Sequence, residues 1–268
     1  MIARVAIAGF GTIGRVVAEA LDRGIDGLQL AAVSARDTAR AEQAMAGFAR
    51  PVPVLPLARL GEDAAIVVEC APAALLRDIA EPALAKGRTL VVLSCGALLD
   101  NFDLVDLARR QGGRILVPTG ALLGLDAVQG AAQGVIARVH MITRKPPNGL
   151  AGAPYLIEHG ISLDGLDRAL RVFTGNAREA ARGFPANVNV AAALALAGIG
   201  PDRTTIEIWA DPAVSRNTHQ IEVEADSVRL TMQIENVPSA ENPKTGRLTP
   251  LSVIALLRKL ASPLAIGT

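Results

Sequence analysis

The sequence is poor in residues that stack, cross-link or bind metals. Of 268 residues, two are cysteine, three are histidine, one is tryptophan and one is tyrosine, and aromatics make up only 3%. Cys70 and Cys95 are far apart, with no C-x-x-C or zinc-type spacing, which argues against a disulfide scaffold or a metal site and suits a reducing compartment such as the cytoplasm. The scarcity of aromatics removes the stacking platforms on which single-strand binders depend. An excess of one charge is also missing: 27 Lys and Arg offset 26 Asp and Glu, so no cationic surplus is left to neutralise phosphates. No apolar run reaches the roughly 18 residues of a membrane span. The first apolar stretch is broken by glycine before any signal-cleavage region. Together these features predict a cytoplasmic protein that handles a small molecule, with no nucleic-acid or membrane partner and no metal.

What is abundant is apolar residues, 50% of the chain, enough for a large core and two modest domains. From Val5 to about Val117, short β-branched runs alternate with helical stretches, the pattern of βαβ repetition around a parallel sheet. Val5–Ala8 and Leu28–Ser34 read as the first two strands. AIVVE ending at Glu69, TLVVLS ending at Ser94 and RILV ending at Val117 read as later ones. Helices are expected at about Ile13–Leu21, Leu75–Lys86 and Leu104–Gln111. After Pro118 the texture changes: a Gly- and Ala-rich stretch leads to strands of period two, such as Ile206–Trp209 and Ile221–Glu224, which describe a sheet with one wet face. A helix is expected at Asn187–Ala197 and another at Thr249–Leu260. The predicted fold class is α/β, a Rossmann doubly wound parallel sheet over 1–118 followed by a smaller α+β substrate domain with a mixed or antiparallel sheet over 119–246. Residues 247–268 are expected to pack back on one of the domains.

Gly9-Phe10-Gly11-Thr12-Ile13-Gly14 is a G-x-G-x-x-G placed directly after a strand and at the start of a helix. In that context Gly9 permits the tight turn, Gly11 lets a pyrophosphate approach the backbone, and Gly14 allows close helix–strand packing at a helix N-terminus that favours negative charge. A carboxylate about 20 residues on, at the end of the second strand, would select NAD by holding the ribose 2′-hydroxyl. Here the chain reads Ser34-Ala35-Arg36-Asp37: Ser34 is uncharged, Arg36 can meet a 2′-phosphate, and Asp37 can still reach a hydroxyl. Both NAD and NADP stay open as cofactors.

The crevice for the nicotinamide half lies at the carboxyl ends of the strands, here expected to be the fourth and fifth, reading Cys70-Ala71-Pro72 and Ser94-Cys95-Gly96-Ala97. Small residues there leave room for a flat ring, and the cysteines read as packing residues rather than nucleophiles. Among the histidines, His140 falls in an alternating run and reads as a packed or half-exposed strand residue, while His159 precedes Gly160 in a turn. His219 ends a polar loop that leads into a strand, where an exposed imidazole can exchange protons near neutral pH. From the residues alone a catalytic and a bland reading of His219 are equally supported.

Taken together, these pieces resemble the L-aspartate dehydrogenase family over essentially the whole chain. The likeness rests on Gly9–Gly14, Glu69-Cys70-Ala71, Ser94–Leu98, Gly120–Ala127, Thr143-Arg144-Lys145-Pro146, Asn187–Ala192, Asp211-Pro212 through Asn217-Thr218-His219, and Asn242-Pro243-Lys244-Thr245. The resemblance implies oxidative deamination of L-aspartate to oxaloacetate and ammonia through iminosuccinate, with NAD or NADP accepting hydride, and a role in supplying NAD biosynthesis. It makes His219 the active-site residue and puts cofactor contacts near Ala121 and Leu123 and at Asn187 or Asn189. Leu123 departs from the pattern, since the family usually carries Ala or Gly there. The substrate's two carboxylates need cationic or donor partners, and Arg144, Lys145, Asn217, Lys244 and Thr245 are the loop residues of suitable chemistry. The alternating second sheet, with family habit, suggests a homodimer. Two rival readings are another NAD(P)-dependent imine or oxo-acid reductase resembling dihydrodipicolinate reductase, and a non-catalytic dinucleotide sensor.

Overall fold

A computed structural model describes residues 2–185, 188–239 and 246–267. The chain forms two compact units, Met1–Pro118 with Thr249–Ile266, and Thr119–Leu248 with Gly267–Thr268.

The first unit runs β1 (Ala3–Ala8), α1 (Thr12–Arg23), β2 (Leu28–Ser34), α2 (Thr38–Ala44), β3 (Ile66–Glu69), α3 (Leu76–Leu84), β4 (Thr89–Val92), α4 (Cys95–Leu98), α5 (Asp103–Gln111) and β5 (Arg114–Leu116). Its five strands are all parallel in the order β2-β1-β3-β4-β5. Parallel strands with helices on both faces have no wet side, so they must be apolar throughout. Val5, Ala6, Ile7 and Ala8 are accordingly all fully buried. Helix α1 turns Val17, Ala18 and Leu21 into the same core, and α5 ends on Gly112 in the left-handed conformation at φ 68°, where a glycine carries no Cβ penalty.

The strands that end at Glu69 and before Ser94 are the third and fourth, not the fourth and fifth. Between α2 and β3 the strand pairing of the described chain is limited to an isolated bridge, Val33 to Val54. The segment there is rich in proline, which removes ladder donors.

The last helix, α10 (Leu248–Ala261), returns to this first unit. Val253 and Leu257 are fully buried in one cluster with Val17, Leu21 and Leu28. Burial of each such side chain contributes about 1.5–3 kcal/mol.

The second unit consists of α6 (Leu125–Ala131), β6 (Ile136–Lys145), α7 (Pro154–Glu158), β7 (Leu170–Asn176), α8 (Ala177–Gly183), α9 (Asn189–Ala197), β8 (Thr205–Ala210), β9 (Thr218–Ala225) and β10 (Arg229–Glu235). The sheet order is β10-β9-β6-β8-β7, with β6 parallel to β8 and every other pair antiparallel, so the sheet is mixed. Along β6, Val139, Met141, Thr143 and Lys145 are buried while His140, Ile142 and Arg144 are half-exposed, the period-two pattern of a sheet covered on one side. Gly198, at the end of α9, sits where an added Cβ would touch Val128 of α6 and Val139 of β6, which puts the helices on the Val139 face.

Strands β7 and β10 were not expected from the sequence. Both are flanking strands of the sheet and interrupt their apolar residues with Arg, Thr, Gly or Gln, so their pattern is weak. The helix expected from Asn187 is described from Asn189 onward, and Asn187 itself lies outside the described residues.

Candidate active site

In the first unit the Gly9–Gly14 turn has three glycines with three different reasons. Gly9 has φ 100° and its N–H donates to the Ser34 carbonyl at 3.0 Å. A Cβ on it would lie 2.7 Å from the Cys70 carbonyl oxygen. At Gly14 an added Cβ would collide with the Gly9 carbonyl oxygen, whereas at Gly11 it would meet nothing within 4 Å. Gly11 caps α1 without any side-chain hydrogen bond to the first backbone N–H groups of that helix. A pyrophosphate needs such donors with no side chain in the way, and these residues therefore fit a dinucleotide. Phe10 is half-buried against the core and edge-on to Phe48 at 6.5 Å; Thr12 and Ile13 open α1.

At the end of β2, Ser34 is buried and Arg36 exposed. The Asp37 carboxylate, left open in the sequence as a ribose partner, caps α2 by accepting the Arg40 N–H at 3.0 Å. The ends of β3 and β4 are fastened to each other by Glu69, which is wholly buried. One oxygen accepts the N–H groups of Leu93 at 3.0 Å and Ser94 at 2.8 Å, and the other accepts the Ser94 hydroxyl at 3.0 Å. Burial pushes the Glu69 carboxyl up against these hydrogen bonds, which pull it down. Burial, with the Glu69 charge adding to it, also raises the thiols of Cys70 and Cys95, the latter to about 12. Neither is a nucleophile at neutral pH, which agrees with their reading as packing residues. Gly96 is buried in α4, and Ala71 is half-buried beside Gly9.

In the second unit the polar groups converge at the carboxyl ends of the parallel pair β6 and β8. His219 is the second residue of β9, and only 3% of its surface is exposed. The expectation of an exposed loop imidazole is thus corrected: the apolar residues Ile221 and Val223 follow it on the same face, so the strand starts earlier than the polar loop suggests. Antiparallel register sets His219 opposite Thr143, whose hydroxyl is hydrogen-bonded to its Nδ1 at 3.1 Å. Burial, helped by the positive charge of Lys145, lowers the His219 pKa from 6.5 to about 3, so the ring is neutral.

Lys145 is also not a loop residue. It ends β6, on the Thr143 face, and is 95% covered, 5% of its surface being exposed. Arg144, between them, is on the opposite face, with its guanidinium 4.7 Å above the Trp209 ring and 3.3 Å from the Asp211 carboxylate. The structure therefore joins Lys145, and not Arg144, to His219. Asp211 is buried after β8, accepting from Ala213 N–H at 2.9 Å and donating its own N–H to the Lys145 carbonyl at 2.8 Å.

Asn217 is half-buried two residues before His219, and its carbonyl accepts the Asn236 N–H at 2.8 Å. The buried Asn236 side chain in turn donates to the Ala121 carbonyl at 3.1 Å, fixing the glycine-rich loop beside the sheet. Leu123 in that loop is 39% exposed, so its larger side chain displaces no core residue. Asn189 is exposed at the start of α9. Lys244 and Thr245 lie outside the described residues. Thr143, Asp211, Asn236 and the role of Glu69 were missed from sequence. Glu69 carried a signal of its own, an acid at the end of an otherwise apolar strand, while Thr143 and Asp211 stood in stretches of family likeness without an assigned role.

A parallel five-stranded sheet with a glycine turn built for a dinucleotide, together with a second unit that buries a neutral histidine and a lysine on one sheet face, defines an NAD(P)-dependent oxidoreductase of two units. Residues 9–118 match the family model described as homoserine dehydrogenase, NAD binding domain, and residues 126–260 match aspartate dehydrogenase, C-terminal. An L-aspartate dehydrogenase of Bradyrhizobium diazoefficiens is 61% identical over 99% of this chain and 94% of its own length. L-aspartate dehydrogenase 3 of Bordetella bronchiseptica is 56% identical over 98% and 97%. The chain belongs to the aspartate dehydrogenase family. The crystal structure of aspartate dehydrogenase from Thermotoga maritima, 24% identical, covers 100% of both chains with a TM-score of 0.76 and shares the fold.

Proposed function

We propose that this protein catalyses the reversible NAD(P)-dependent oxidative deamination of L-aspartate, through iminosuccinate, to oxaloacetate and ammonia, a reaction that feeds NAD biosynthesis. Beyond family membership, the observation that carries this reading is a buried neutral His219 on the same sheet face as the buried cation Lys145.

A bound nicotinamide dinucleotide supplies the hydride acceptor. Gly9, Phe10, Gly11, Thr12, Ile13 and Gly14 would hold its pyrophosphate, and Cys70, Ala71, Ser94 and Gly96 would flank the nicotinamide half, with Ala121, Leu123, Asn187 and Asn189 added by family likeness. Ser34 and Arg36 would face the adenosine ribose: with a neutral serine there and an exposed arginine two residues on, a 2′-phosphate is accepted as readily as a hydroxyl.

The ammonium group of aspartate must lose a proton before its electron pair can form the C=N bond. His219 accepts that proton. In the free protein the imidazolium is disfavoured by burial and by Lys145. A substrate carboxylate against Lys145 removes that repulsion and the other carboxylate adds attraction, so the base gains proton affinity when a dicarboxylate is bound. Asn217 supplies a neutral donor close by, with Lys244 and Thr245 as further carboxylate partners. Loss of hydride leaves the iminium, water adds to its carbon, and the two protons of that water end on the nitrogen, which leaves as ammonium. Protonated His219 can relay these transfers and finally releases to solvent the proton it took from the substrate.

The two free thiols suit a cytoplasmic location. Among the described residues no helix is long and apolar enough to cross a membrane. The half-exposed sheet face carrying His140, Ile142, Arg144 and Trp209 suits a homodimer.

Purified protein given L-aspartate with NAD⁺ or NADP⁺ should raise reduced-nicotinamide absorbance, and oxaloacetate with ammonia should reverse it. Dinucleotide binding without turnover in either direction would remove aspartate as the substrate.

A further inference from the structure

We propose that Thr143 is a positioning residue that holds His219 in the tautomer with its proton on Nδ1, leaving the Nε2 lone pair for the substrate. The inference rests on the reading of His219 as the base.

A neutral imidazole has one N–H and one lone pair, and the partner of one nitrogen decides which role the other plays. The register of β6 and β9 makes Thr143 and His219 direct neighbours, both at least 96% covered, with 4% and 3% of their surfaces exposed. Among the described residues, the Thr143 hydroxyl is the hydrogen-bond partner the ring has, and it occupies Nδ1. A hydroxyl can donate or accept, so the contact by itself fits either tautomer. With Nδ1 engaged, Nε2 is the nitrogen left to take a substrate proton, and a base at Nε2 requires the proton on Nδ1 with the Thr143 oxygen as its acceptor. A β-branched side chain on a strand has little χ1 freedom, so the oxygen is held in place rather than sampling. Lys145, two residues on along the same face, is a donor without acceptor capacity and cannot take the Nδ1 proton. When the substrate ammonium gives its proton to Nε2, its N–H bond breaks and the electron pair stays on the amine nitrogen. The new imidazolium keeps its Nδ1–H on the Thr143 oxygen throughout, so no second proton has to move.

The chain has only three histidines, so the test is spectroscopic. Full-length protein with ¹⁵N-labelled histidine is recorded by long-range ¹⁵N–¹H correlation, with His219 assigned from the signal lost in H219Q. The expected wild-type spectrum has a protonated Nδ1 and a bare Nε2. Thr143→Val, which keeps the shape and removes the oxygen, should give a mixture of tautomers and lower kcat by about 10- to 100-fold with an unchanged dinucleotide Kd, and Thr143→Ser should restore both. A wild-type Nε2–H tautomer overturns the inference even if T143V fails to fold. So does a folded T143V with the wild-type spectrum. Full activity in H219Q would instead overturn the base reading and leave the tautomer measurement standing by itself.

Discussion

Glu69 and Ser94, 25 residues apart in sequence, are joined twice, the carboxylate accepting both the backbone N–H and the hydroxyl of the serine. The junction ties the end of β3 to the turn after β4. Glu69→Ala would take the acceptor from the buried N–H of Ser94, at about 1–3 kcal/mol, and from the half-buried N–H of Leu93, at less. Glu69→Gln keeps one oxygen for those two N–H groups, and its amide can donate to a rotated Ser94 hydroxyl. Calorimetric melting should therefore show a large loss for E69A and a much smaller one for E69Q. Equal melting temperatures would mean that the junction does not hold the turn.

The glycines of the first turn separate folding from binding. Gly14→Ala puts a methyl group onto the Gly9 carbonyl, and the resulting displacement of α1 should cost several kcal/mol of stability, on the order of 3 or more. Gly11→Ala meets no protein atom, so it should melt like the wild type yet bind NAD(P)H at least about tenfold more weakly, since its methyl group enters the space a pyrophosphate would fill. Fluorescence titration of reduced cofactor alongside melting reads both. A G11A protein with wild-type affinity would mean that the dinucleotide does not approach this turn.

Legibility in the sequence followed burial. Strands β1 to β4 could be read because a parallel sheet buried on both faces leaves runs such as IVVE and TLVV with little polar interruption. The turn Gly9–Gly14 could be read because its steric demands are local. His219 was found as a residue, but its setting was misjudged: a polar loop before it masked the start of β9, and exposure is decided by the helices that cover the face, which belong to distant parts of the chain. The pairing of Thr143 with His219 depends on the register between strands 76 residues apart, which no local pattern encodes. The same holds for Arg144 and Lys145, adjacent in sequence and on opposite faces of β6.

That opposition gives a contrast between neighbours. Lys145→Met keeps the length and apolar stem of the side chain but removes the charge, and it should raise the KM for aspartate by about 10- to 100-fold, the equivalent of one charge-assisted hydrogen bond at 1.5–3 kcal/mol. Arg144→Met removes a guanidinium engaged by Asp211 and Trp209 on the other face, and should change KM by less than about threefold. Steady-state kinetics at saturating cofactor compares them directly. The reverse ranking would move the carboxylate site to the Arg144 face.

His219 links the site to acid stability. Its pKa is about 3 in the folded protein against an ordinary 6.5, so between these values the unfolded chain binds a proton that the folded protein does not. Stability contributed by the neutral ring is complete above about pH 6.5 and is lost as pH falls toward 3, at about 1.4 kcal/mol per pH unit within that window. Glutamine has no proton to gain. Subtracting the unfolding free energies of His219→Gln from those of the wild type should thus leave a difference that falls with acidification below pH 6.5 and is flat above it. The same variant should lose about 10²- to 10⁴-fold in kcat, the range for removing a general base, with dinucleotide Kd within about twofold. A difference that does not change with pH would mean that the ring takes up its proton at the same pH folded as unfolded, so that burial does not hold it neutral, and one that grows on acidification would mean that the folded protein binds the proton more tightly than the unfolded chain. A base charged before substrate arrives could not take the ammonium proton.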